Sequence, residues 1–503
     1  MTSSIRLIVL AATVLLGACT GLPKTEGRAR SHAIPARAGT ELDRVAVSFA
    51  AAHPRSSGFH PLGKGSDALD ARLGLAGVAE QTLDVQYYIW RNDDSGRKVL
   101  ASLKAAAARG VRVRILIDDL GTSADDNILL AIDSHPGVEV RLFNPIASRS
   151  ARLLGTVFDF GRVNRRMHNK AFVADNRIAI IGGRNIGDEY FDAHGQTNFA
   201  DFDVAAIGPV VREVSASFDE YWNSSSSIDI ATLTRRVAKP EHQAALLAAL
   251  PKADSGKNFT RKLRRGEVRF FPGRATVVAD DPAKVRASAH ATETHLAPKL
   301  RELTGVTRRE MLIVSPYFVP GKAGVAELVR LRSRGVRVVI LTNSLASTDV
   351  AAVHSAYKKY RKPMLRAGVE LYENKPSGTW ERNAPHHFGG SSPSSDASLH
   401  AKTFTFDRSR MFVGSMNLDP RSIRLNTEIG ILLESPELAA SFTNIVLKEL
   451  DQNAYRLALE GERIIWISNE NGKEVRFFHD PRTTAWQRLT VRFLGLLPIE
   501  GQL

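Results

Sequence analysis

His168-Asn169-Lys170-Ala171-Phe172-Val173-Ala174-Asp175 and His400-Ala401-Lys402-Thr403-Phe404-Thr405-Phe406-Asp407 are one pattern, HxKxxxxD, written twice in a single chain. Side chains alternate across a strand, so a histidine and a lysine two apart project from one face. Two such strands facing each other would gather two imidazoles and two ammonium groups. That constellation suits an anionic phosphodiester. One imidazole attacks phosphorus, the other protonates the leaving oxygen, and the lysines hold the phosphoryl oxygens. The chain has only 14 histidines among 503 residues, so two accidental copies of the pattern are not expected.

The surroundings repeat as well. Gly182-Gly183-Arg184-Asn185 follows the first motif, and Gly414-Ser415-Met416-Asn417 follows the second. An acidic strand comes next, with Asp201-Phe202-Asp203 in the first half and Glu428 in the second; the sequence does not separate Asp201 from Asp203. Upstream, Asp84 to Trp90 reads as a buried strand, followed by a helix-like stretch and Arg109-Gly110-Val111-Arg112-Val113. The second half answers with Leu312 to Val319, a helix-like stretch and Arg334-Gly335-Val336-Arg337-Val338. Matching positions keep a near-constant separation, which signals duplicated lobes.

Short β-branched strands alternating with amphipathic stretches predict an α/β fold. We expect two pseudo-twofold-related lobes, each a mostly parallel sheet flanked by helices. Apolar strands such as Ile178 to Ile181 suggest sheets covered on both faces. Each lobe supplies one histidine and one lysine, so the active centre is expected at the lobe interface. The expected organisation is a signal peptide over 1–18, a tether over 19–64, a first lobe over 65–222, a linker over 223–266 and a second lobe over 267–503. The linker reading rests on Asn223-Ser224-Ser225-Ser226-Ser227 and on the basic run Arg261 to Arg265.

With the doubled motif and its trailing Gly-Gly/Ser-x-Asn, the chain resembles the phospholipase D superfamily. It is similar to the bacterial cardiolipin-synthase-like branch in DVQYYIW, RGVRVRILIDD, HNKAFVADNRIAIIGGRNIGDEYFD and LHAKTFTFDRSRMFVGSMNLDPRSIRLNTEIGILLE. The resemblance implies His168, Lys170, Asp175, His400, Lys402 and Asp407 as the catalytic set. His168 would attack and His400 would act as acid, then base; the pseudo-symmetry leaves the reverse order open. Lys170, Lys402, Asn185 and Asn417 would bind phosphoryl oxygens, with Ser415 in support. Asp201 and Glu428 would orient the imidazoles, and Asp175 and Asp407 would serve structure near strand ends. No metal or other cofactor is implied. The implied reaction moves a phosphatidyl group to a headgroup hydroxyl of phosphatidylglycerol, giving cardiolipin. A hydrolytic phospholipase D, a nuclease of the superfamily and a silent lipid-binding lipoprotein are the alternatives.

At the N-terminus, Arg6 precedes an apolar run from Leu7 to Leu16, then Gly17-Ala18-Cys19. The run is short for a membrane span but suits a signal-peptide core. The string resembles a bacterial lipobox, which implies lipidation at Cys19, the only cysteine. The absence of Asp at Thr20 then implies a lipid-anchored protein on the periplasmic side, at the outer membrane. With 68 basic against 53 acidic residues, the net charge of +15 favours a polyanionic partner. The lipobox selects an anionic phospholipid membrane over nucleic acid.

Two basic-apolar stretches suit either a membrane surface or ordinary packing: Arg149 to Arg166, and Trp486 to Leu497, for which packing on the body is the expectation. Asp118-Asp119 lacks companions at metal-ligand spacing and reads as a surface or supporting pair. His386-His387 reads as a solvated loop near the site, and His290 and His295 need no special role.

Overall fold

The connection between the two strands after each motif is three residues long, too short for the crossover that parallel neighbours need. Those strands pair antiparallel in both halves. The computed structural model describes residues 21–122, 126–149, 152–193, 197–249, 255–288, 291–376, 396–470 and 472–503. The first half contains β1 (Ser57–Leu62), β2 (Thr82–Tyr87), β3 (Arg112–Asp118), β4 (Val138–Phe143), β5 (Ala171–Ala174), β6 (Ile178–Gly182), β7 (Thr197–Ala200), β8 (Asp203–Ile207) and β9 (Ser227–Asp229). The second begins with β10 (Phe271–Ala279), β11 (Glu310–Val314), β12 (Arg337–Asn343), β13 (Glu370–Asn374), β14 (Asp396–Leu399), β15 (Thr403–Phe406), β16 (Arg410–Gly414) and β17 (Ile429–Glu434). It closes with β18 (Ala454–Glu460), β19 (Arg463–Glu470) and β20 (Lys473–Phe477).

Hydrogen-bonded neighbours link β4-β3-β2-β5-β6-β8 in the first half and β13-β12-β11-β15-β16-β17 in the second. The same six-strand pattern is thus built twice. β1 pairs with β8 and β10, and β10 with β17, joining the halves into one 18-stranded sheet. Among the described pairings of this sheet, only β2–β3–β4 and β11–β12–β13 are parallel. The expected mostly parallel sheet is therefore corrected to a mixed, mostly antiparallel one. Apolar periodicity reports burial and not strand direction; the three-residue connections carried the directional information.

β6 is buried throughout, with Ile178 and Ile180 facing a core inside the first half. Ala179 and Ile181 face a second core that also holds Leu312, Met411 and Ile431 from the other half. A third core lies within the second half. The halves therefore share an apolar seam, and the site rests at its edge.

Parts of the segments expected as tether and linker are folded. Leu42, Ala46 and Phe49 form a buried stripe on the helix Glu41–Ala52, which Thr40 caps by accepting from the Asp43 N–H. Arg28 reaches the Ser227 carbonyl at 2.5 Å, and β1 enters the large sheet. The stretch after residue 20 is thus laid against the body instead of hanging as a tether. Within 223–266, β9 pairs with β4, and Leu246, Phe259 and Leu263 enter the first core. Sparse apolar residues at helical spacing were masked there by the serine-rich and basic composition. Cys19 and Thr20 lie outside the described residues, and none of the described helices is long and apolar enough to cross a membrane.

Candidate active site

Ala171 on β5 lies opposite Gln86, and Thr403 on β15 lies opposite Val314. His168 and His400 come three residues before those positions, just ahead of their strands and beyond the C-terminal ends of β2 and β11. Both therefore sit at the edge where parallel α/β strands expose ligand sites.

The halves exchange partners there. Met167 forms an isolated parallel bridge with Thr427, and the His168 N–H donates to the Thr427 carbonyl at 2.8 Å. In the mirror arrangement, β14 pairs with β7, and the His400 N–H donates to the Ala200 carbonyl at 2.8 Å. Each histidine is thereby delivered beside the acid of the opposite half. His168 Nδ1 is 2.9 Å from Glu428 Oε2, and His400 Nδ1 is 2.6 Å from Asp201 Oδ2. Asp203, the alternative to Asp201, instead pairs with Arg72 at 2.9 Å and Arg184 at 3.5 Å.

His168 Nδ1 also lies 3.1 Å from the Ser415 carbonyl. Both its neighbours are acceptors, so Nδ1 carries the hydrogen and Nε2 keeps its lone pair. Around His400 the pattern differs, because Lys402 Nζ stands 3.1 Å from Nδ1. Burial pushes the His168 imidazole down to about 4 against the pull of Glu428, and burial with Lys402 lowers His400. The imidazoles in turn hold Glu428 and Asp201 below the usual carboxylate range, although burial alone would raise both acids.

Burial also brings Lys170 down to about 7 and Lys402 to about 8. Each ammonium donates back to the carbonyl of its own motif histidine, Lys170 at 2.6 Å. Asn185 is partly committed to holding the fold: its Oδ1 accepts from the Ile89 N–H at 3.1 Å, and its Nδ2 donates to the Tyr190 hydroxyl at 2.9 Å. Asn417 Oδ1 and Glu428 Oε1 are buried without a hydrogen-bond partner among the described residues. Ser415 Oγ donates to Glu428 Oε2 at 2.5 Å.

The motif aspartates sit at the far ends of β5 and β15 in left-handed turns, with φ of 49° and 53°. Asp175 accepts from the N–H groups of Glu80, Gln81 and Thr82, and Asp407 from those of Arg308, Arg309 and Glu310. These bonds tie each hairpin to the start of the neighbouring parallel strand.

Asp118 and Asp119 are buried, so of the surface and supporting readings the structure selects the supporting one. Asp118 accepts from the Met167 N–H at 2.8 Å and pairs with Arg166 at 3.2 Å, so it grips the residue before His168. Asn343, at the same place on β12, grips Leu399 before His400 through bonds of 2.9 and 3.0 Å. The RGVRV repeat could have exposed this pair, since counting forward from either copy reaches Asp118 and Asn343. Tyr88 and Tyr190, also missed, meet His168 and His400 edge-on at 5.0 and 5.2 Å between ring centroids. His295 is buried at the end of a short 3₁₀ turn, while His290, His386 and His387 lie outside the described residues. Among the described residues no cluster of three or more His, Cys, Asp or Glu is arranged to hold a metal.

Both arginine-apolar segments leave large apolar side chains exposed. Arg149 and Arg152 turn inward to Asp119, while Leu153, Val157 and Phe158 point out. The helix Ala485–Leu494 packs on the body against the helix Ala351–Tyr357 with Val491 buried, while Trp486, Leu489 and Phe493 on it stay exposed.

Comparison with known proteins agrees with this architecture. A family model described as "Cardiolipin synthase, PLD-like domain" matches twice, over residues 75–222 and 300–450. Cardiolipin synthase C of Escherichia coli K12 is 43% identical over 91% of this chain and 99% of its own length. An uncharacterized protein of Helicobacter pylori J99 is 34% identical over 89% of each chain. Among solved structures, phosphatidylserine synthase from Haemophilus influenzae Rd KW20 superposes with a TM-score of 0.58 at 14% identity, covering 92% of this chain and 100% of that one. That likeness concerns the fold alone. The chain belongs to the cardiolipin synthase, PLD-like domain family of the phospholipase D superfamily.

Proposed function

We propose that the protein is a phosphatidyltransferase that makes cardiolipin from phosphatidylglycerol through a phosphohistidine. The observation that carries this reading is the crossed pair His168–Glu428 and His400–Asp201, at 2.9 and 2.6 Å, in a chain 43% identical to a cardiolipin synthase. His168 Nε2 attacks the phosphorus of a donor phospholipid, forming the N–P bond while the bond to the leaving headgroup oxygen breaks. That oxygen takes its proton from His400. Neutral His400 then removes the proton from a hydroxyl of phosphatidylglycerol, whose oxygen displaces His168 and restores it. Assigning attack to His168 is supported by its two Nδ1 acceptors, Glu428 and Ser415, which keep the Nε2 lone pair directed at substrate. Lys170, Lys402 and Asn417 hold the non-bridging oxygens as charge develops.

On the same reading the two lobes, 65–222 and 267–503, are related by a pseudo-twofold axis, as the doubled strand pattern supports. The substrate side is an anionic phospholipid membrane, with no nucleic acid partner. Residues 1–18 act as a signal peptide, and acylated Cys19 anchors the enzyme on the periplasmic side of the outer membrane.

Purified protein given phosphatidylglycerol vesicles, alone and with phosphatidylethanolamine, should yield cardiolipin. Phosphatidic acid as the sole product would replace this reading with hydrolysis. Globomycin treatment of producing cells should cause accumulation of the longer precursor; unchanged processing would remove the anchor.

A further inference from the structure

Exposed large apolar side chains are scattered singly over much of the surface, as on most proteins. Two groups are different. Leu153, Val157, Phe158 and Phe160 lie on two short consecutive helices, Arg152–Phe158 and Phe160–Val163, with Leu153 79% and Phe158 67% exposed. Trp486, Leu489, Phe493 and Leu496 lie on or just after the helix Ala485–Leu494, with Trp486 74% and Leu496 80% exposed.

These groups are far apart in sequence but are tied together beside the site. The first follows β4, and its segment ends at Met167, the residue before His168. The second packs on the helix Ala351–Tyr357, which follows β12. Both therefore hang from the C-terminal ends of the parallel strands, the edge that holds the two histidines. Asn164 Nδ2 donates to Gln502 Oε1 at 2.7 Å, and Arg421 donates to the carbonyls of Asn164 and Gln502 at 2.7 and 3.0 Å. Arg421 stands four residues beyond Asn417, so this junction borders the site itself. Arg424 and Arg492 are exposed on the same elements, adding positive charge to the apolar rim.

We propose that this rim is a membrane-docking face. Leu153, Phe158, Trp486 and Phe493 enter the headgroup and acyl boundary of an anionic bilayer, with the arginines against its phosphates. The inference rests on the reading of the substrate as a phospholipid. A diacyl lipid cannot leave its bilayer cheaply, because every methylene of its two chains would be exposed to water. An enzyme whose histidines are buried gains by seating its own site edge in the bilayer, so that only the headgroup must rise to them. Charge complementarity favours this occupant: the chain carries a net +15, and headgroups of phosphatidylglycerol are anionic.

The test uses the full chain carrying Cys19→Ala, so that no acyl anchor contributes, in flotation with phosphatidylglycerol–phosphatidylethanolamine vesicles. The paired variants Leu153→Ser with Phe158→Ser, and Trp486→Ser with Phe493→Ser, should each weaken vesicle partitioning by about tenfold or more. Turnover of soluble bis(p-nitrophenyl) phosphate should stay at the parent level, which shows that the fold and site are intact. Vesicle partitioning at the parent level in both variants would overturn the proposal. So would a concentration-dependent dimer of the parent that the variants abolish while still floating with vesicles, since a second copy would then be the occupant. Cardiolipin formation in mixed detergent micelles separates the two readings. Its absence in the parent would refute the transferase while leaving the docking result standing, and its presence beside unchanged flotation would refute docking alone.

Discussion

The two halves of the site do the same task with different parts. In the first half a short acid, Asp201, faces Gly183; in the second a longer acid, Glu428, faces Ser415. A Cβ at Gly183 would lie 2.2 Å from Asp201 Oδ1, so that position admits no side chain while the aspartate stays in place. Ser415 instead bonds Glu428 and turns its carbonyl to His168. The imidazoles inherit this asymmetry. His168 Nδ1 meets two acceptors, whereas His400 Nδ1 meets a carboxylate and an ammonium. The framework is repeated, and within it the two imidazoles meet different partners.

The comparison is broken most severely through the histidines. His168→Ala should lower transfer by a factor on the order of 10⁴ and abolish any burst with a p-nitrophenyl phosphodiester. His400→Ala should lose comparable transfer activity yet keep the burst, because p-nitrophenolate leaves without a proton. A burst from His168→Ala with none from His400→Ala would reverse the roles. Next in size, Gly183→Ser should cost about 10²-fold in rate by displacing Asp201. Ser415→Gly, the converse exchange, should cost only about tenfold, since it removes one charge-assisted hydrogen bond. Equal losses would mean that the difference between the halves is incidental.

The smallest effect should be a pH dependence of binding. Lys170 and Lys402, brought down to about 7 and about 8, are charged below those values and neutral above them. KM for an anionic phosphodiester should therefore rise severalfold as pH increases through that window, while kcat changes less. Lys170→Arg, whose charge persists to higher pH, should flatten the lower part of the rise. A pH-independent KM would remove the lysines from oxyanion binding.

Much of this was legible along the chain, because repetition leaves a linear trace. The doubled motif, the Gly-Gly/Ser-x-Asn strings and the acids Asp201 and Glu428 could be named without coordinates. Strand direction was misjudged because apolar runs record burial alone. The sequence leaves Asp118 as surface or supporting, because its partner, the backbone N–H of Met167, carries no sequence signature. The segments over 19–64 and 223–266 read as tether and linker because their overall Ala, Arg, Gly, Ser and basic composition outweighed the local helical spacing of Leu42, Ala46 and Phe49 and of Phe259 and Leu263.

The sequence by itself determined that two histidine–lysine pairs exist, each within its own copy of one motif. Only the tertiary structure decided which acid serves which histidine. The crossing of Glu428 to His168 and Asp201 to His400 depends on backbone pairing between the halves, at Met167–Thr427 and along β7–β14. Such pairing is made by peptide groups that every residue carries, so the linear order of side chains could not announce it.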